Sequence, residues 1–178
     1  MVIIFPTDTV YGIGTPIFDN KGIEKIYEIK KRPKEKPLAC LCSNLEQIES
    51  ICYLNDDAKK LINKFLPGAL TLILKAKPEV YEKIGYKTIG VRIPDSKIAL
   101  DILNENGPML TTSVNESGEK ELNSYDEIYP IYKDLVDKIY DGNIKSSSHP
   151  STVVSIIDDL KVIRLGDITL EDIKDTIE

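Results

Sequence analysis

Five of the seven side chains in Lys30-Lys31-Arg32-Pro33-Lys34-Glu35-Lys36 are cationic, in a chain whose net charge is -6. An acidic protein that gathers positive charge at one place offers a site for an anion there. The segment lies between a helical pattern and a strand pattern, and Pro33 forces the chain out of helix at or just after Arg32. That is a usual place for a phosphate-binding loop. The competing reading is a solvated helix end, because cations near a helix C-terminus complement its dipole and need no ligand.

Small polar residues gather directly after strand-like runs elsewhere: Pro6 to Gly12, Thr111 to Gly118, and Ser146 to Thr152. Arg92 stands alone inside the apolar Gly90-Val91-Arg92-Ile93-Pro94. Turn chemistry accounts for any one of these clusters. It does not account for an arginine in an apolar strand, since arginine is rarely buried without a partner. Hydroxyls and amides at strand ends, beside a cationic loop, suit a zwitterionic small molecule next to a polyphosphate.

Other chemistries are absent. There is no GxxxxGK[ST] loop, no HExxH and no GxSxG, and Gly12-Ile13-Gly14 lacks the third glycine of a dinucleotide fingerprint. The single histidine, His149, cannot complete a Ser-His-Asp set and reads as a loop residue. An enzyme with this inventory works by positioning and electrostatics, which favours phosphoryl or nucleotidyl transfer. Cys40, Cys42 and Cys52 are odd in number and imply no disulfide framework; Cys40 and Cys42 fall on one strand face. The N-terminal apolar run, Val2 to Phe5, is too short for a signal peptide or membrane span, so the expected location is cytoplasmic.

The elements that must hold these residues alternate. Strands are predicted at Val2–Phe5, Leu38–Cys42, Ala69–Lys75, Ile89–Ile93 and Met109–Thr112, then at Thr152–Ile157 and Lys161–Leu165 as a hairpin. Helices are predicted at Asn20–Lys31, after a capping box at Ser43-Asn44-Leu45-Glu46, at Asp56–Leu66, Ser96–Glu105 and Tyr125–Leu135, and after Thr169. Lys138–Tyr140 is a further short segment. No repeat or linker divides the 178 residues, so they are read as one domain, 1–178, with a mixed α/β sheet.

Six segments then resemble, in order and spacing, the YrdC-like threonylcarbamoyl-adenylate synthases. They are Pro6 to Gly14, Lys30-Lys31-Arg32-Pro33 with Lys36-Pro37-Leu38, Leu66 to Thr71, Thr88 to Pro94, Thr112 to Gly118, and Pro150 to Val154. The resemblance implies an open, twisted α/β sheet with flanking helices around a cationic cavity, of the single-domain type. It implies condensation of L-threonine, bicarbonate and ATP to L-threonylcarbamoyl-adenylate and pyrophosphate, for threonylcarbamoyladenosine formation in tRNA. By motif position, Thr9, Arg92, Thr111 and Ser151 would hold threonine. Lys30, Arg32, Lys36, Thr88, Ser113, Asn115 and Arg164 would hold ATP, with Lys30 and Arg32 as the catalytic cations. Magnesium (Mg2+) would come with ATP, held by phosphate oxygens and water, and no residue is assigned as a metal ligand. A tRNA threonylcarbamoyltransferase complex would take the product, and weak RNA binding is compatible with a basic cavity.

Val114, Ser155 and Glu121 depart from the family's usual residues at their positions. Two alternatives stand beside this reading. The YciO-like branch looks similar but lacks the Lys30/Arg32 motif. An RNA-binding module would spread basic charge over a face and add stacking aromatics, whereas this chain is acidic, with no Trp and three Phe.

Overall fold

Along Leu70-Thr71-Leu72-Ile73-Leu74, the leucines are buried while Thr71 and Ile73 turn the other way. The same period of two recurs on neighbouring strands and gives one sheet two different faces. The computed structural model describes residues 1–142 and 149–178. Ser146, Ser147 and Ser148 of the predicted polar cluster lie outside the described residues.

Among the described residues the strands are β1 (Ile3–Pro6), β2 (Tyr11–Pro16), β3 (Ala39–Leu41), β4 (Leu70–Lys75), β5 (Thr88–Arg92), β6 (Met109–Ser113), β7 (Lys138–Ile139), β8 (Thr152–Ser155) and β9 (Lys161–Arg164). They form one open mixed sheet in the order β7-β1-β2-β6-β3-β5-β4-β8-β9. β3 runs parallel to β5 and β4 to β8, while β8 and β9 form the predicted antiparallel pair.

The helices are α1 (Asn20–Lys30), α2 (Leu45–Ile51), α3 (Asp56–Phe65), α4 (Pro78–Ile84), α5 (Lys97–Asn106), α6 (Tyr125–Tyr132) and α7 (Leu170–Ile177). Ile26, Ile48, Leu61, Val80, Ile128 and Ile173 carry every helix except α5 into the main core, against Ile4, Leu72, Val91 and Leu110 of the sheet. On the opposite face, α5 is the one helix among the described residues that packs, burying Ala99, Ile102 and Leu103 on Ile3, Phe5, Leu41 and Met109. The uncovered part of that face is where the polar positions of β4, β5 and β6 point, with Ala39 and Leu41 of β3 between them.

Three local predictions change. β2 is not among the predicted strands, because Gly12, Gly14 and Pro16 weaken its strand propensity. Pairing on both sides, with β1 and β6, overrides that propensity. The short helix α4 gives little periodic signal, since Val80 is its one buried residue. The α2 cap is Asn44, whose side chain accepts from the Gln47 amide at 2.9 Å, rather than Ser43, whose amide donates to Gln47 Oε1. The three cysteines are free and buried. No helix among the described residues is long and apolar enough to cross a membrane.

Candidate functional site

Thr88, Gly90 and Arg92 share one face of β5, and Ile89 and Val91 point into the core. Register carries the division across the sheet. Thr71 and Ile73 of β4, Ala39 and Leu41 of β3, and Thr111 and Ser113 of β6 line a cavity of about 360 Å³. Ser151 and Val153 close one side, and the β1–β2 turn with Thr7 and Thr9 closes the top. Its volume comes from side chains the strands lack: a Cβ on Gly12 would lie 2.6 Å from Thr111 Cγ2. Among the described lining residues, the charged groups are Arg32, Arg92 and Arg164 against Glu121.

Arg92 ends β5 and marks one end of the cavity. Its Nη1 donates to Asp8 Oδ1 at 2.7 Å and to the Gly68 carbonyl at 3.2 Å. Nη2 donates to Thr9 Oγ1 at 3.0 Å and Thr7 Oγ1 at 3.3 Å. Thr7 also builds the turn, donating to the Val10 carbonyl and accepting from the Thr9 and Val10 amides. Ser151 and Thr71 join their hydroxyls at 2.7 Å in the same wall. A β-bulge between Val153 and Val154 sets Arg164 opposite Val153, where Nε donates to the Ser151 carbonyl at 3.0 Å and Nη2 to its hydroxyl at 3.3 Å.

Thr88 begins β5, four residues before Arg92 and so about 13 Å away along the strand. Arg32 sits near this second end, with Nε on the Lys36 carbonyl at 3.1 Å and Nη2 on the Pro37 carbonyl at 2.8 Å. Tyr27 OH donates to the Lys36 carbonyl at 2.6 Å and shares a hydrogen bond with Tyr86 OH, which accepts from the Leu38 amide. These bonds hold the Pro33–Leu38 segment to α1 and the sheet.

Lys30, at the end of α1, is 2% exposed. Its ammonium donates to the Ser113 carbonyl and to Asn115 Oδ1, both at 2.6 Å, and Asn115 Nδ2 donates to the Glu119 carbonyl. Burial and, after it, the charge of Arg32 lower the Lys30 pKa to about 8, against the opposing pull of Glu121. Burial likewise lowers Arg164 from its ordinary value, against Glu121.

The predicted threonine set, Thr9, Arg92, Thr111 and Ser151, thus lines one cavity. Of the predicted ATP set, Arg32, Thr88, Ser113 and Arg164 line it too. Lys30 and Asn115 stand behind Ser113 rather than on the wall. Lys36 is exposed, and its carbonyl, not its ammonium, is used. Arg164, grouped with the nucleotide, bonds Ser151 of the amino-acid set. Sequence reasoning missed Thr7, Thr71 and Tyr86 as partners, and it considered Asp8 only as a contact to magnesium without assigning it to the site. Their signal lies in partners far away in the chain: Asp8 meets Arg92 84 residues on, and Tyr86 meets Leu38 48 residues back.

The Sua5/YciO/YrdC family model, described as "Telomere recombination", matches residues 1–166. The chain is 36% identical over 182 residues to the threonylcarbamoyl-AMP synthase of Bacillus subtilis, covering 99% of this chain and 53% of that protein. Its fold matches Pyrococcus abyssi Sua5, solved in complex with L-threonine, with a TM-score of 0.91, 31% identity, and coverage of 99% of this chain and 53% of that one. It matches Escherichia coli YciO with a TM-score of 0.84, 31% identity, and coverage of 97% and 86%. The chain therefore spans about half the length of the Bacillus and Pyrococcus proteins.

Proposed function

The chain belongs to the Sua5/YciO/YrdC family, and we propose that it is an L-threonylcarbamoyl-adenylate synthase. The observation that carries this reading is one cavity with two unlike ends, Arg92 with Thr9 at one and Arg32 with Thr88 and Ser113 at the other. The first suits a small zwitterion that bears a hydroxyl, and the second a nucleotide phosphate.

The reaction needs two bond-forming steps. The threonine ammonium and bicarbonate give a carbamate, a water and a proton. A carbamate oxygen then attacks the α-phosphorus of ATP, and the bond to the β-phosphate bridging oxygen breaks to release pyrophosphate. No step needs a covalent enzyme nucleophile, in keeping with a wall of hydroxyls and guanidinium groups. Arg32, held by two carbonyls, presents charge where it develops on the α-phosphate and pyrophosphate. Lys30 holds the Ser113 carbonyl and Asn115 and supplies charge from behind the wall.

Among the described residues no group of three or more His, Cys, Asp or Glu could hold a metal ion. Magnesium would enter with ATP as part of the substrate, ligated by phosphate oxygens and water. The labile adenylate is then passed to a transferase that acts on tRNA.

The test is pyrophosphate release with Mg-ATP and bicarbonate, with and without L-threonine, and mass detection of the adenylate. Threonine-dependent release is expected, falling about 100-fold or more in R32A, the loss typical of removing a group that stabilises transition-state charge. ATP binding without threonine-dependent release would return the reading to the YciO branch, whose Escherichia coli member the fold also matches.

A further inference from the structure

All four Nη hydrogens of Arg92 have acceptors before any ligand arrives: Asp8, the Gly68 carbonyl, Thr7 and Thr9. The partner that matters most is Asp8. Its side chain is 11% exposed and that of Arg92 7%, so the pair is poorly screened. Among the described residues, Oδ2 of Asp8 accepts no hydrogen bond.

A carboxylate here neutralises a buried guanidinium, which a neutral acceptor would not do. The cavity has a cation problem. Arg164 lies in register with Val153, Val153 with Thr71, and Leu72 beside it with Val91 next to Arg92. Arg92 and Arg164 therefore flank one end, with Arg32 near the other. Glu121 opposes the charge of Arg164 and of Lys30, and Asp8 is the carboxylate paired with Arg92; without Asp8, the end meant for an amino acid would be the more attractive trap for phosphate.

We propose that Asp8 is the specificity-determining residue of the amino-acid end: by cancelling Arg92 it makes that end select a ligand carrying an ammonium and leaves polyphosphate to the Arg32 end. This rests on the synthase reading. It also gives the carboxylation step a direction. The ammonium carries +1 and the carbamate -1, so attraction to Asp8 becomes repulsion as the carbamate forms. The displaced charge then finds its counter-charge at Arg32, where the α-phosphate lies.

The discriminating ligands are L-threonine and 3-hydroxybutyrate, which is threonine without its ammonium. Dissociation constants for both, measured by calorimetry on wild type, D8N and D8E, give a ratio. D8N keeps a side-chain oxygen to accept from Arg92 Nη1 and removes the charge. The expected result is a preference for threonine in wild type that narrows at least tenfold in D8N and is retained in D8E. If Asp8 merely props Arg92, both ligands weaken together; a D8N ratio within twofold of wild type overturns the proposal. Wild type alone supplies a second measurement, independent of how the variants fold. L-Threoninamide, which keeps the ammonium and loses the carboxylate charge, should bind more tightly than 3-hydroxybutyrate, and the reverse order also overturns it. A wild type that binds ATP but no threonine would overturn the synthase reading itself, and this inference with it.

Discussion

Lys30 Nζ lies 2.6 Å from Asn115 Oδ1, tying the last residue of α1 to the loop after β6 across 85 residues of sequence. Its second bond, to the Ser113 carbonyl, fixes the end of a strand that lines the cavity. The helix carrying the cationic segment and the strand carrying the polar motif are thus locked by one buried ammonium.

That ammonium gives a pH dependence of definite sign. The folded pKa, about 8, lies below the ordinary lysine value of 10.5, so between these pH values the unfolded chain holds a proton that the folded chain has released. Stability from this group therefore rises with pH through the window of about 8 to 10.5, and its cost is full below it. Relative to K30M, wild type should gain about 2 kcal/mol between pH 7.5 and 9.5. Urea denaturation of both proteins at the two pH values checks this; a flat or falling difference would refute it.

The Tyr27–Tyr86 pair predicts a separable effect on the nucleotide. Y86F removes the acceptor for the Leu38 amide and a partner of Tyr27 OH, at a cost of about 1–3 kcal/mol for the buried groups left unpaired. With the Pro33–Leu38 segment loosened, KM for ATP should rise several-fold while KM for threonine stays put. Steady-state kinetics with each substrate varied in turn decides it.

Gly12 predicts the converse. The Cβ of G12A would lie 2.6 Å from Thr111 Cγ2, so the variant should lose about 1–3 kcal/mol of stability and raise KM for threonine more than for ATP. T111S removes that methyl group, and the double variant should recover most of the loss in a denaturation cycle. G90A is milder, since its Cβ meets Thr71 Cγ2 at 3.2 Å.

Much of this protein was legible in the chain because its signals are local. The caps at Asn55, Ser96, Ser124 and Thr169 each accept from an amide three residues on. The leucines of β4 alternate, and Asp158-Asp159 separates two strands near enough to pair. The motif order carried the family, and with it the cavity residues Thr9, Arg32, Thr88, Arg92, Thr111, Ser113, Ser151 and Arg164.

What the chain alone could not state is who stands beside whom. Gly12 and Gly14 argue against a strand by propensity, yet β2 is central to its neighbourhood because β1 and β6 satisfy its backbone on both sides. Lys30 looks like a cation offered to a ligand, and the fold turns it inward onto Ser113 and Asn115. Arg92 looks like an arginine awaiting an anion, and the β1–β2 turn brings it Asp8. Period and propensity act over a few residues and are written in the sequence. Charge pairing and close approach act across strand register, and only the folded sheet determines them.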